Sequence, residues 1–113
     1  CAACHVPSLP VEGIDGIHQI AAYTDLRRHD LGDDLADRRI DGVVVESRWR
    51  TAPLWGIAHL PRGGQLGLLH DGRARSVEEA VLWHAGEADD ARKAYMALPQ
   101  AERALLTDWT LRR

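Results

Sequence analysis

The first five residues of the chain, Cys1 to His5, form the pattern Cys-x-x-Cys-His. This pattern is the attachment signature of a c-type haem. Two thiols three positions apart lie on one side of a helical turn, so each can add to one vinyl group of the porphyrin, and the adjacent imidazole can reach the iron. We therefore predict that Cys1 and Cys4 anchor a covalent haem c and that His5 is an axial iron ligand.

Two other interpretations of the motif are a redox-active cysteine pair and one half of a zinc site. A thioredoxin-like redox pair follows a β-strand, and no strand precedes Cys1. A zinc site needs a second pair of Cys or His ligands nearby, and the chain has no third Cys. Both alternatives are therefore weaker than haem attachment.

Haem attachment of this kind takes place on exported proteins. The sequence shows no initiator Met, no signal peptide and no apolar run of transmembrane length. We therefore expect the chain to be the C-terminal fragment of a longer periplasmic or otherwise exported protein, with no membrane span in this fragment.

Length and charge fit one small domain over residues 1–113. A chain of this size buries only about 60–65% of its unfolded surface, so a large apolar cofactor would supply much of the core. The net charge of -3 and the pI near 6.0 give no nucleic-acid or membrane-surface footprint. Four Trp and no Phe suit flat side chains around a flat ligand, although genomic composition explains them equally well.

The first half of the chain reads as irregular. Val6–Gly16 carries two Pro and two Gly and predicts a loop, whereas Ile17–Tyr23 could be a strand or half a helical turn. Thr24–Arg39 is dense in charges of both signs and predicts a solvated loop, in which His29 could bond Asp30. The β-branched run Val43–Val45 predicts a brief extended segment.

Helices are predicted mainly in the second half. Ser76 and Glu79 form a capping box, and Val77, Ala80, Val81 and His84 share the buried face of the helix that follows. The Gly-rich stretch Leu60–Gly72 before it lacks the features of a phosphate loop and predicts a loop against a flat ligand.

The predicted fold is therefore an all-α, cytochrome c-like haem domain with long irregular loops. Its predicted helices lie near Cys1, from Pro53 onward, and over Ser76–His84, Glu87–Ala97 and Gln100–Leu111. Arg50 and Arg73 are candidates for pairing with the haem propionates, because the guanidinium fork matches a carboxylate. Two solvated arginines are the alternative interpretation.

Four stretches carry a resemblance to a known family: TDLRRHDLGDDLAD, WRTAPLWGI, LLHDGRARSVEEAVLWHAGEA and ARKAYMALPQAERALLTDW. Together they resemble the C-terminal haem domain of the di-haem oxidoreductases, also labelled thiol oxidoreductases, which are related to bacterial di-haem cytochrome c peroxidases. The most specific piece is His70-Asp71-Gly72 followed by the helix EEAV. The resemblance covers the chain from Cys1 to about Trp109.

The resemblance implies a periplasmic, all-helical protein with two c-type haems, one in each half. It implies that this half transfers electrons to an open site in the other and carries no catalytic residue of its own. The implied partners are the second haem domain of the same full-length chain and a redox protein. Whether this chain is itself an enzyme, and on which substrate, stays open.

Two departures from the family pattern limit what is carried over. The related peroxidases place Thr-x-Pro before His-Asp-Gly to help hold calcium, whereas Gln65-Leu66-Gly67 stands there in this chain, so a calcium site is not predicted. The family pattern His-Asp-Met-Gly reads His29-Asp30-Leu31-Gly32 here, which removes a thioether.

The sixth iron ligand could be Met96 or His84. A His/Met haem has the higher potential, which suits an electron donor and favours Met96. In the related peroxidases, however, the distal Met follows the helix after His-Asp-Gly, and His84 stands at the matching place. We therefore predict bis-His ligation by His5 and His84, with their facing nitrogens about 4 Å apart, twice a typical imidazole-to-metal bond.

Two further function classes remain open at this stage. One is a free-standing small cytochrome c that only shuttles electrons. The other is an interaction module without haem, in which the Cys-x-x-Cys-His pattern is accidental.

Overall fold

The computed structural model describes residues 1–41, 44–60 and 65–113. Within these residues, six short strands precede three helices. The strands are β1 (Leu9–Gly13), β2 (Gly16–Ile20), β3 (Arg28–Asp30), β4 (Asp37–Arg38), β5 (Val44–Glu46) and β6 (Arg48–Arg50). The helices are α1 (Val77–Trp83), α2 (Asp89–Ala97) and α3 (Gln100–Thr110), with single 3-10 turns at Asp33–Leu35, Ile57–His59 and Gly86–Ala88.

The prediction of an all-α fold is wrong, because the described residues form a mixed α/β structure. The strands pair as three two-stranded antiparallel sheets, β1 with β2, β3 with β6 and β4 with β5. In the first sheet Leu9 faces Ile20 and Gly13 faces Gly16 across a two-residue turn. The predicted loop over Val6–Gly16 is thus partly a hairpin strand, since Gly at both ends of the turn lets the chain reverse.

The charged stretch predicted as a solvated loop also contains paired strands. In β3, Arg28 faces Arg50 and His29 faces Trp49 of β6. The charged side chains do not predict this pairing, because its hydrogen bonds are made by the backbone. The partner strand also lies about 20 residues away along the chain. Of the predicted extended run, Val44 and Val45 begin β5 and Val43 lies outside the described residues.

The helical predictions hold where a local signal sets the helix. Helix α1 is capped by the Ser76 side chain, which accepts a hydrogen bond from the Glu79 backbone N–H at 3.1 Å. The Glu79 carboxylate accepts in turn from the Arg75 N–H at 3.0 Å rather than from Ser76. Helices α2 and α3 begin and end within about two residues of the predicted bounds, which is ordinary scatter for helix ends.

Two predicted helices are absent from the part of the chain that the structure describes. At Cys1 there is a single hydrogen-bonded turn. After Pro53 the Leu54 N–H bonds to the Ala22 carbonyl at 3.0 Å, and Gly56 takes a left-handed φ of 86° before the 3-10 turn. A left-handed residue interrupts helical hydrogen bonding, so no α-helix propagates there. Positions 61–64 of the predicted Gly-rich loop lie outside the described residues.

Few large apolar side chains are buried within the described residues. The buried hydrophobic residues are Ala22, Leu35, Ala36, Ala74, Val77 and Tyr95. The radius of gyration is 15.4 Å, whereas a compact chain of this length has about 13 Å. The polypeptide therefore builds only a small core from its own side chains.

Candidate haem-attachment site

The two cysteines lie on one backbone turn at the start of the chain. The Cys4 N–H and the His5 N–H both donate to the Cys1 carbonyl, at 3.1 Å and 2.8 Å. Cys1 is exposed and Cys4 is half-buried, and neither forms a disulfide. Burial raises the pKa of the Cys4 thiol, and the negative charge of Asp25 adds to that shift. The backbone of the motif therefore forms one helical turn from Cys1 to His5.

His5 is oriented by a backbone carbonyl from a distant part of the chain. Its Nδ1 lies 2.9 Å from the Tyr23 carbonyl oxygen. Because a carbonyl only accepts hydrogen bonds, this contact assigns the proton to Nδ1 and leaves the Nε2 lone pair available. Burial lowers the pKa of His5, which favours the neutral imidazole that a metal needs. Tyr23 itself has a left-handed φ of 51°, and its ring packs edge-on against Trp109 with 5.0 Å between centroids.

His84, the other candidate ligand, is also oriented by a hydrogen bond from Nδ1 to a backbone carbonyl. It follows α1 as the C-terminal cap, and its Nδ1 donates to the Ala80 carbonyl at 2.7 Å. Burial lowers the pKa of His84 as well. The positive charge of a protonated His84 also lowers the pKa of His5. No described residue bonds to Nε2 of either ring.

The two candidate arginines differ in how far they are already engaged. Arg73 donates to the Asp71 carboxylate and to the Asp34 carbonyl, both at 2.6 Å, and its guanidinium lies over the Trp83 ring at 4.9 Å. The Arg50 side chain makes no hydrogen bond or ion pair with any described residue. Of the two, Arg50 keeps all its donors available for another partner.

His70, which begins the most specific piece of the resemblance, belongs to a packed platform. Its ring stacks on Trp49 with 3.7 Å between centroids and 8° between planes. His70 Nε2 lies 3.1 Å from Asp37, and the Trp49 indole N–H donates to the carbonyl of the fully buried Leu35 at 3.0 Å. These contacts give His70 a packing role in the described structure.

Sequence reasoning missed the role of one cluster, Asp25, His29 and Glu87, which we call the His29 network. His29 Nε2 lies 2.8 Å from Asp25, and His29 Nδ1 lies 2.9 Å from Glu87. The predicted bond from His29 to Asp30 is not the one that the ring makes. The bonds to Glu87 and Asp25 raise the pKa of His29 and favour the imidazolium. No local signal could have revealed Glu87, because it is 58 residues away along the chain.

The His29 network also lies beside the attachment turn. The ligand atoms of Cys4, Asp25 and His29 all lie within 4.8 Å of one another. His29 could ligate a cation there only by giving up its bond to Asp25, because its other nitrogen bonds Glu87.

Met96, the alternative iron ligand, is 54% exposed on α2.

Comparison with protein families identifies the family of the chain. No described helix is long and apolar enough to cross a membrane. No curated protein and no solved structure matches the chain. A family model described as "Di-haem oxidoreductase, putative peroxidase" matches residues 1–111. That match spans nearly the whole sequence and includes the Cys-x-x-Cys-His turn and His84. The chain therefore belongs to the di-haem oxidoreductase family.

Proposed function

We propose that the chain is a c-type haem-binding, electron-transfer domain of a periplasmic, peroxidase-like di-haem oxidoreductase. One observation carries the proposal most strongly. His5 and His84 are both half-buried and both use Nδ1 to donate to a backbone carbonyl, which leaves the Nε2 atom of each ring without a partner among the described residues. Two such nitrogens are what axial ligation of a haem iron by two histidines requires.

The attachment turn suits covalent binding of the porphyrin. Each thiol, Cys1 and Cys4, would add across one vinyl group, forming a carbon–sulfur bond while the thiol hydrogen ends on the other vinyl carbon. The addition needs no oxidant, and it consumes both cysteines of the chain. Their placement on one turn, with His5 bonded to the same Cys1 carbonyl, keeps the two anchors and the proximal ligand together.

The bound haem would supply reversible one-electron chemistry of iron. The chain's own residues decide how that chemistry is used. If His5 and His84 both held the iron, they would leave no position for peroxide, and this domain would pass electrons rather than react with substrate. By accepting from Nδ1–H, the carbonyls of Tyr23 and Ala80 raise the basicity of the two imidazoles, which would favour the oxidised state of a bound haem and lower its potential.

The small core supports the same proposal. Leu35 is the largest fully buried side chain among the described residues, and Thr24 comes next. A covalently held porphyrin between the two histidines would bring apolar area that the polypeptide lacks. Folding and haem loading would then be coupled, as in other proteins whose cofactor forms part of the core.

The proposal includes partners and location. A chain with two cysteines attaches one haem of this type, so the second haem of the family would be held by another domain of a longer protein. If haem is attached at this motif, the protein would belong to the periplasm or another exported compartment. Arg50 is the better candidate for a propionate partner, because its side chain has no partner among the described residues.

The test compares the absorption spectra of wild type and two variants, each exported from cells that also express a haem-attachment system. Wild type should retain haem after denaturation, give a pyridine haemochrome spectrum, and be six-coordinate and low-spin. His84→Ala should convert the iron to a five-coordinate or water-bound state, whereas Met96→Ala, the matched control, should leave the spectrum unchanged. Absence of covalent haem, or the reverse result for the two variants, would overturn the proposal.

A further inference from the structure

We propose that the His29 network positions the segment carrying His84 and thereby holds His84 as an axial ligand. This inference rests on the proposed function. It assigns Glu87 and His29 as positioning residues, since neither is proposed to touch the haem iron. The role follows from how the chain is held on each side of His84.

The segment after His84 lies beyond the end of helix α1, so contacts outside the helix must fix it. The helix ends at Trp83, and His84 has an extended ψ of 114°. Ala85 is also extended, with φ -127° and ψ -158°, and Gly86 is left-handed with φ 54°. The position of the His84 ring therefore depends both on its bond to Ala80 and on what fixes residues 85–87.

Glu87 fixes that segment to strand β3. One carboxylate oxygen accepts from the Asp30 backbone N–H at 3.0 Å, and the other bonds His29 Nδ1 at 2.9 Å. Arg48 of β6 adds a longer ion pair at 3.8 Å. The carboxylate thus spans two anchors on one strand, which prevents it from rotating away from β3.

The backbones also approach too closely for larger side chains. A Cβ at Gly86 would collide with the Asp30 carbonyl oxygen and would lie 2.8 Å from the Gly32 nitrogen. A Cβ at Gly32 would lie 3.1 Å from the Ala85 Cβ. The segment that follows His84 is therefore packed directly against the end of β3, and Glu87 holds that contact closed.

The same stretch of chain also orients the opposite ligand. The Tyr23 carbonyl, which bonds His5, lies two residues before Asp25. That stretch is fixed in turn by the fully buried Thr24, whose hydroxyl donates to the Thr51 carbonyl at 2.6 Å and accepts from the Leu26 N–H at 2.9 Å. Residues 23–30 are thus a common support for both proposed ligands, and the His29 network is its link to His84.

The consequence concerns access to the iron. If the link through Glu87 is broken, residues 85–87 can leave β3 and His84 can leave the iron for part of the time. An added small ligand then competes more successfully for the vacated position. A mutation three residues from His84 should therefore change ligand binding without removing any iron ligand.

The test uses the haem-loaded chain and the binding of carbon monoxide to its reduced form. Glu87→Gln and His29→Gln should each raise the apparent CO affinity about 10-fold, the size expected for losing one charge-assisted hydrogen bond, and should increase the high-spin fraction of the oxidised form. The Glu87 side chain is 46% exposed, so Gln there leaves the core intact. Glu87→Asp is a milder variant that keeps the charge, and it should have a smaller effect in the same direction.

The matched control is Asp89→Asn, which also replaces a carboxylate with an amide, two positions further along the chain. Asp89 pairs with Lys93 at 2.6 Å and with Arg92, both within α2, and so should leave CO affinity unchanged. The double variant His29→Gln/Glu87→Gln should show less than the sum of the two single effects, because each single change already affects the bond between His29 and Glu87. CO affinities of both Glu87 variants equal to that of Asp89→Asn would overturn the inference. A wild-type spectrum that His84→Ala does not alter would instead overturn the proposed function.

Discussion

Asp25 should make the chain's stability depend on pH in the acid range. Its side chain is 13% exposed. Burial by itself would raise the pKa of this carboxyl, but hydrogen bonds from His29, the Arg27 N–H and Thr51 outweigh it and lower the pKa from 3.8 to about 2. Because the pKa is lower in the folded state, the carboxylate stabilises the fold above pH 4, and this contribution is lost as the pH falls toward 2.

The magnitude follows from that difference. A change from 3.8 to about 2, at 1.36 kcal/mol per pKa unit, corresponds to about 2 kcal/mol of stability at pH 5, most of which is lost at pH 2. Asp25→Asn removes the titrating group. The difference in unfolding free energy between wild type and this variant should therefore shrink by about 2 kcal/mol between pH 5 and pH 2.

The assay is urea unfolding of the haem-loaded chain, followed by far-ultraviolet circular dichroism from pH 2 to pH 5. His29 is protonated in both folded and unfolded states over this range, because its pKa is raised from 6.5, so its own titration does not contribute. Asp15→Asn is the control for removing one carboxylate, since that side chain is 73% exposed. The unfolding free energy of this control should stay within about 0.5 kcal/mol of the wild-type value at each pH. A wild-type-minus-Asp25→Asn difference that is the same at pH 5 and pH 2 would refute the reasoning.

Two substitutions away from the ligands test the packing around the site. Trp49→Ala removes the ring that stacks on His70 and should lower the unfolding free energy by about 3 kcal/mol, whereas Trp55→Ala, at a side chain that is 54% exposed, should cost much less. Equal urea midpoints for these two variants would show that the stacking of Trp49 on His70 does not stabilise the fold. Ser76→Ala removes the cap that accepts from the Glu79 N–H and should cost about 1 kcal/mol in thermal unfolding, while Ser76→Thr should retain most of the stability. A loss as large for Thr as for Ala would show that the cap is not the cause.

What the sequence predicts well is whatever depends on neighbouring residues. The two cysteines and His5 are adjacent, and their one-turn geometry follows from their spacing. Helix α1 begins at Ser76 because a capping side chain and its partner lie three residues apart. In both cases the physical cause and its sequence signal occupy the same few positions.

What the sequence misses depends on distant partners. Strand β3 is stabilised by β6, and its charged residues Arg28, His29 and Asp30 have no intrinsic preference that would predict a strand. The His29 network joins residues 58 positions apart. The expected helix after Pro53 is absent because Gly56 adopts a left-handed conformation and Leu54 bonds to Ala22, neither of which has a local signal.

These same distant contacts explain how a chain with a small core could hold two ligands in fixed positions. His5 belongs to a single turn and His84 follows the end of a seven-residue helix, so neither is placed by a long regular element. Both depend on residues 23–30, through the Tyr23 carbonyl on one side and the bond from His29 to Glu87 on the other. A stretch whose charges suggested only a solvated loop is thus the element on which the geometry of the proposed iron site depends.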